Sequence, residues 1–165
     1  MAGSGEFERI LDQNERFAEA FDRSSLTAAP LTGLAILTCM DARIDVLEAL
    51  GLRVGDAHII RNAAGLASED AIRSLVVSQQ LLGTREILVI AHTRCGLHGA
   101  DEEALRDQVE VTTGHATGMG FGAFEDLDAM VREQVEILLD EPALLEVPVR
   151  GLVYEVETGR LREVV

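Results

Sequence analysis

The order of apolar and polar segments predicts an α/β sandwich built on a mostly parallel central sheet. Three observations carry that expectation. Short, continuously apolar runs of strand length recur along the chain, stretches of helical period lie between them, and glycines or prolines punctuate the connections. At 165 residues the chain fits one domain, residues 1–165, large enough to bury roughly two thirds of its unfolded surface.

Phe7, Ile10, Leu11, Phe17 and Phe21 recur at near-helical spacing and predict an amphipathic helix. This helix forms an N-terminal arm over about residues 1–25, with its apolar face available to a partner subunit. The leading "MAGSG" is not expected to take part in the fold. "LAILT", residues 34–38, reads as a first buried strand, because strands covered on both faces are apolar throughout rather than alternating. "AHIIRN" supplies a second strand ending near Arg61. "SEDAIRSLVVSQQLLG" is a helix, with Ser68 as its N-cap and Gly83 as its stop. "REILVIAH" gives a third strand, residues 86–91, ending at His92.

The second half of "TRCGLHGADEEALRDQVE" has helical character, "VTTGHATGMGFGAFED" reads as loop, and an acidic helix follows over about residues 124–139. "VRGLVYEVETGRLREVV" predicts an antiparallel hairpin turning at Thr158 and Gly159, at the sheet edge. Neither internal repeats nor low-complexity tracts interrupt the pattern.

Fourteen basic against 29 acidic residues leave a formal net charge of −15, which repels phosphate backbones and anionic lipid surfaces. Nucleic acid and membrane partners are therefore not expected. The opening residues show no basic segment followed by an apolar core, so the expected location is cytoplasmic.

Both cysteines fall at strand ends, where α/β folds gather their chemistry. Cys39 begins the "CMDAR" stretch with Asp41 and Arg43, and Cys95 follows His92 by three positions in "HTRC". Two thiolates and one imidazole suit Zn²⁺, leaving a fourth tetrahedral position for water or substrate. Asp41 can either bind the metal or accept a hydrogen bond from its water, while Arg43 holds the carboxylate in a bidentate pair. On an extended segment Asp41 and Arg43 point to one side. The plainer readings are two small buried thiols with a core histidine, an ordinary ion pair, or a disulfide, the last disfavoured in a reducing compartment.

"CMDAR" together with "HTRC" resembles the β-class carbonic anhydrases, and the likeness extends over "RNAAG", residues 61–65, and the helix after it. The resemblance implies a sheet ordered 2-1-3-4 with an added antiparallel edge strand. It implies Zn²⁺ on Cys39, His92 and Cys95, with Asp41 as an occasional fourth ligand, Asp41 and Arg43 as the catalytic pair, and Gly65 on the substrate-binding side. The implied reaction is reversible hydration of CO₂ to bicarbonate and a proton by zinc-bound hydroxide, in a homodimer or a dimer of dimers.

The short chain, the absence of Trp and the Ala in "CMDAR" resemble the small subgroup that also contains carbonyl sulfide hydrolases, so COS or CS₂ is the alternative substrate. A non-catalytic zinc-binding dimerisation module is the rival from another class, and a redox protein a more distant one. Arg94 departs from relatives that carry an acidic residue between the two ligands, and reads as a solvated loop residue or as positive potential for bicarbonate. His98 and His115 are candidate proton shuttles, although a plain surface role suits each as well.

Overall fold

Five strands form one sheet in the computed structural model, which describes residues 5–165; residues 1–4, most of the segment set aside above, lie outside the described residues. The strands are β1 (Leu34–Cys39), β2 (Ala57–Asn62), β3 (Glu86–His92), β4 (Val149–Glu155) and β5 (Arg160–Glu163). Their order is β2-β1-β3-β4-β5, with β1 to β4 parallel and β5 antiparallel to β4. This is the predicted order. The chain moves from β1 to one side to make β2, then crosses to the other side for β3, so the strand order reverses between β1 and β3.

Alternate residues of the central strands feed two core layers. Ala35 and Leu37 of β1 and Ile87 and Val89 of β3 pack with Leu75, Val135 and Leu138 from helices α3 (Glu69–Leu82) and α5 (Leu127–Asp140). Each fully buried aliphatic side chain contributes about 2 kcal/mol through removal from water. Ile36, Ile90 and Val46 lie on the opposite face, under the five-residue α2 (Val46–Leu50) and the hairpin. That face is thinly covered, and Ile59, Leu88 and Leu152 on it are only half-buried.

Helix α3 runs between its predicted caps. Ser68 accepts the Ala71 N–H, and Gly83 takes the left-handed conformation with φ 80° while its N–H returns to Ser78. Three boundaries differ from expectation. Helix α4 (Glu102–Thr113) continues through Val111 into the stretch read as loop and stops at Gly114, whose left-handed φ of 76° ends it. Helix α5 begins later than residue 124, because Asp126 caps it and Phe124 is engaged in a bridge to His98. Helix α2, capped by Asp45 and Gly51, was not foreseen; five residues are too few to show a period.

The glycine-rich connection before α5 is ordered by a single carboxylate. Glu102 Oε1 accepts the N–H groups of Phe121, Gly122 and Ala123 at 3.2, 2.8 and 3.0 Å. Helix α1 (Gly5–Glu19) buries none of its residues. Phe7, Leu11 and Ile10 are exposed on it, and Phe21 lies in the turn beyond, its ring 5.6 Å from that of Phe17. The arm rejoins the body at Ala28, whose carbonyl lies 2.7 Å from His58 Nε2.

Candidate metal centre

Parallel pairing places the carboxyl ends of β1 and β3 side by side, with Thr38 opposite Ile90, and the Thr38 hydroxyl donates to the Ile90 carbonyl at 2.7 Å. Cys39 ends β1 and His92 ends β3, so their side chains converge where the strand order reverses. Cys95 follows in the turn after β3. The ligand atoms of Cys39, His92 and Cys95 all lie within 4.8 Å of one another, and all three residues are buried. Both thiols are free.

Of the three side chains, His92 leaves a buried polar atom unmatched. Its Nδ1–H donates to the Thr93 carbonyl at 2.8 Å, which fixes the tautomer and leaves Nε2 as a lone pair. That Nε2 is buried and has no hydrogen-bond partner among the described residues. An unmatched buried nitrogen is costly, and here it faces two sulfurs. A cation that accepts soft ligands satisfies all three groups at once.

The metal-free site distributes protons unevenly. Burial raises the Cys39 thiol, but the adjacent His92 imidazole and the N–H groups of Asp41 and Ala64 outweigh it, lowering its pKa to about 7. Cys95 moves the other way, pushed up by burial and by the Cys39 sulfur against a favourable Leu97 N–H. Burial works to lower the His92 pKa, yet Cys39 and the Thr93 carbonyl prevail and raise it. A metal taking all three ligands displaces the protons that this site shares.

Asp41 and Arg43 meet beside the centre, by a different route from the extended segment expected. The Ile44 N–H returns to the Asp41 carbonyl at 3.1 Å, and Asp41 Oδ1 accepts the Arg43 N–H at 2.9 Å, so a tight turn folds the two side chains together. Arg43 Nε then donates to Oδ1 at 2.9 Å and Nη2 to Oδ2 at 2.7 Å. This bidentate pair holds the Asp41 carboxyl well below the usual carboxylate range. Oδ2 lies 3.8 Å from His92 Nε2.

Arg61, the first residue of "RNAAG", holds the turn after β1 in place. Its Nε, Nη1 and Nη2 donate to the carbonyls of Cys39 at 2.9 Å, Ile44 at 3.1 Å and Asp41 at 2.6 Å, pinning the turn after β1 from the end of β2. Asn62 braces the next turn, donating to the Leu66 carbonyl and accepting the Leu66 N–H, both at 2.8 Å. Gly65 packs against the end of β1. Its φ is 73°, and a Cβ there would lie 2.9 Å from the Thr38 carbonyl carbon, so only glycine fits.

Arg94 is an exposed turn residue, as the first of its two expected roles requires, and its Nε forms an ion pair with Glu157. His98 stacks on Phe124 with ring centroids 5.3 Å apart, and its Nε2 lies 2.8 Å from the Glu125 carbonyl. His115 is exposed with Nδ1 2.9 Å from the Thr113 carbonyl. Neither belongs to the Cys39, His92 and Cys95 group.

A family description reading "Carbonic anhydrase" matches residues 34–161. The chain belongs to the β-carbonic anhydrase family. It is 37% identical to the β-carbonic anhydrase 1 of Mycobacterium tuberculosis over 155 residues, covering 93% of this chain and 94% of that one. It is 38% identical to a carbon disulfide hydrolase of Saccharolobus solfataricus over 155 residues, 79% of this chain and 76% of that one. The crystal structure of a carbonic anhydrase from Streptococcus mutans superposes with a TM-score of 0.93 at 38% identity, covering all of both chains. The β-carbonic anhydrase fold thus accounts for the sheet order and for the convergence of both cysteines on one histidine.

Proposed function

We propose that this chain, as one domain, catalyses the reversible hydration of CO₂ to bicarbonate and a proton with Zn²⁺ as cofactor. The observation that carries the reading is the buried, partnerless His92 Nε2 facing two free thiols. Cys39, His92 and Cys95 fit the donor set of a catalytic zinc site, three protein ligands with one position left open. Zn²⁺ supplies Lewis acidity that makes water a nucleophile near neutral pH.

The remaining work falls to residues of the chain. Asp41 is ionised at every physiological pH, so it accepts a hydrogen bond and cannot donate one. It takes the O–H of the nucleophile and aims the oxygen's free lone pair at the substrate carbon. Arg43 occupies both carboxylate oxygens, which supports a carboxylate held off the metal. Asp41 would be free to serve as a fourth ligand only if that pair opened. Gly65, whose lack of a Cβ lets its backbone close against Thr38 and Cys39, is the proposed neighbour of the substrate.

Likeness to a carbon disulfide hydrolase supports a second reading, attack on COS or CS₂ by the same residues. An intact Asp41–Arg43 pair speaks against a purely structural zinc module, which needs neither. The exposed apolar residues of α1 and the thinly covered sheet face favour a homodimer, or a dimer of dimers. No helix among the described residues is long and apolar enough to cross a membrane, and two free thiols suit the reducing cytoplasm.

Stopped-flow CO₂ hydration by the purified protein, repeated with Asp41→Ala and then with COS and CS₂, tests the proposal. Turnover of CO₂ that rises between pH 6 and 9 and falls with Asp41→Ala is expected. A protein inert to CO₂ but active on CS₂ selects the second reading, and one inert to all three rejects both.

A further inference from the structure

Two non-glycine residues among those described adopt positive φ, and both border the metal centre: Ala64 at 63° and Arg94 at 53°. They are held in different ways. Ala64 is 2% exposed and fixed by packing. The Arg94 side chain is 71% exposed, so packing cannot impose a conformation that costs a non-glycine residue free energy.

Something else must hold it, and Glu157 lies in the right place. Glu157 sits in the turn between β4 and β5. One carboxylate oxygen pairs with Arg94 Nε, and the other accepts the Thr93 hydroxyl at 2.7 Å. The Thr93 hydroxyl in turn accepts the Val156 N–H at 3.1 Å, and the Thr93 N–H donates to the Tyr154 carbonyl at 3.0 Å. Residues 93 and 94 are thereby laced to the far hairpin.

The conformation of Arg94 matters because its carbonyl accepts Arg43 Nη2 at 2.9 Å, the same nitrogen that donates to Asp41 Oδ2. Arg43 therefore has two anchors: the carboxylate it serves and the Arg94 carbonyl. Turning Arg94 to negative φ swings that carbonyl away and leaves the guanidinium free to rotate with Asp41.

We propose that Glu157 is a positioning residue for the Asp41–Arg43 pair, holding Arg94 in the left-handed conformation that presents its carbonyl to Arg43. This deepens the hydration reading and rests on it for the catalytic consequence. The contacts of Glu157 are with exposed partners, so little stability depends on them. The consequence is expected in turnover and in the state of Arg43.

Arg94→Gly supplies the test, because glycine adopts positive φ without support. In zinc-loaded protein, Glu157→Ala should lower kcat about tenfold with KM within about twofold, the size expected for loss of an outer hydrogen-bonding partner. On the Arg94→Gly background the same change should lower kcat by less than about twofold. The Arg43 Nε–H resonance in ¹⁵N-labelled protein, assigned by its loss in Arg43→Lys, should shift in Glu157→Ala and return toward its position in the double variant.

A Glu157→Ala variant that leaves kcat and the resonance unchanged overturns the proposal. So does a loss of kcat without movement of the resonance, or a loss that persists in the Arg94→Gly background. A wild-type protein with no turnover of CO₂, COS or CS₂ instead sinks the catalytic reading. In that case the Arg43 resonance alone decides whether Glu157 positions the pair.

Discussion

The turns after β1 and β3 border the same candidate centre and are held by different means. The first has a local brace, Asp41 bonding its own neighbour Arg43, and a second one from the end of β2, where Arg61 gathers three carbonyls. The second is braced from outside, by a carboxylate at position 157 that reaches Thr93 and Arg94 across the sheet edge. Their thiols differ as well, Cys39 being drawn down to about 7 and Cys95 pushed up. The contrast teaches that one turn combines a local ion pair with a tertiary brace while the other depends on tertiary contacts alone, so damage to each should differ in size.

The largest expected effect lies in the first turn. Asp41→Asn preserves the shape but removes the charge-assisted pair, and should lower CO₂ hydration by about 10²- to 10³-fold with zinc retained. Stopped-flow rates set beside metal analysis check this, and an equal loss of zinc would mean that Asp41 is chiefly structural. Next comes Arg61→Met, which strips three carbonyls of a charged donor and should cost about 2 kcal/mol in urea unfolding of the metal-free protein. A cost below about 0.5 kcal/mol would mean that Arg61 does not brace the turn after β1.

A smaller effect follows from the Asp41 carboxyl. Its pKa in the folded state lies below that of the unfolded chain, about 3.9, so the unfolded state binds more protons in acid. The stabilisation is complete above about pH 4 and is lost as pH falls through the folded value. The acid limb of stability against pH should be shallower in Asp41→Asn than in the wild type, both metal-free; superimposable limbs would contradict the pairing. Smallest of all is Glu157→Gln, which keeps one acceptor oxygen, for Arg94 or for Thr93, and turns the other into an amide donor. It should change kcat by less than about threefold, measured beside Glu157→Ala.

The same contrast explains what was legible in the sequence. Strands β1 and β3 announced themselves as unbroken apolar runs, and Ser68 and Gly83 marked the ends of α3, because burial and capping are local rules. The gathering of Cys39, His92 and Cys95 was readable from their places at strand ends. Arg61 carried a weak signal, a cation closing a strand beside the motif, but its three carbonyl partners depend on how β2 lies against β1. Nothing in the sequence connected Glu157 to Thr93 and Arg94; only the parallel pairing of β3 with β4 brings His92 opposite Tyr154 and the hairpin turn within reach. Helix α2 escaped because its signals, Asp45 and Gly51, bracket too few residues to form a pattern.

Zinc content measured together with turnover tests the central claim most directly. Protein purified without chelator should carry one Zn²⁺ per chain and hydrate CO₂, while Cys39→Ser, His92→Ala and Cys95→Ser should each lose the metal and fall to the buffer rate. A fully active protein with no stoichiometric metal, or a His92→Ala variant that keeps both its zinc and its activity, would contradict the account.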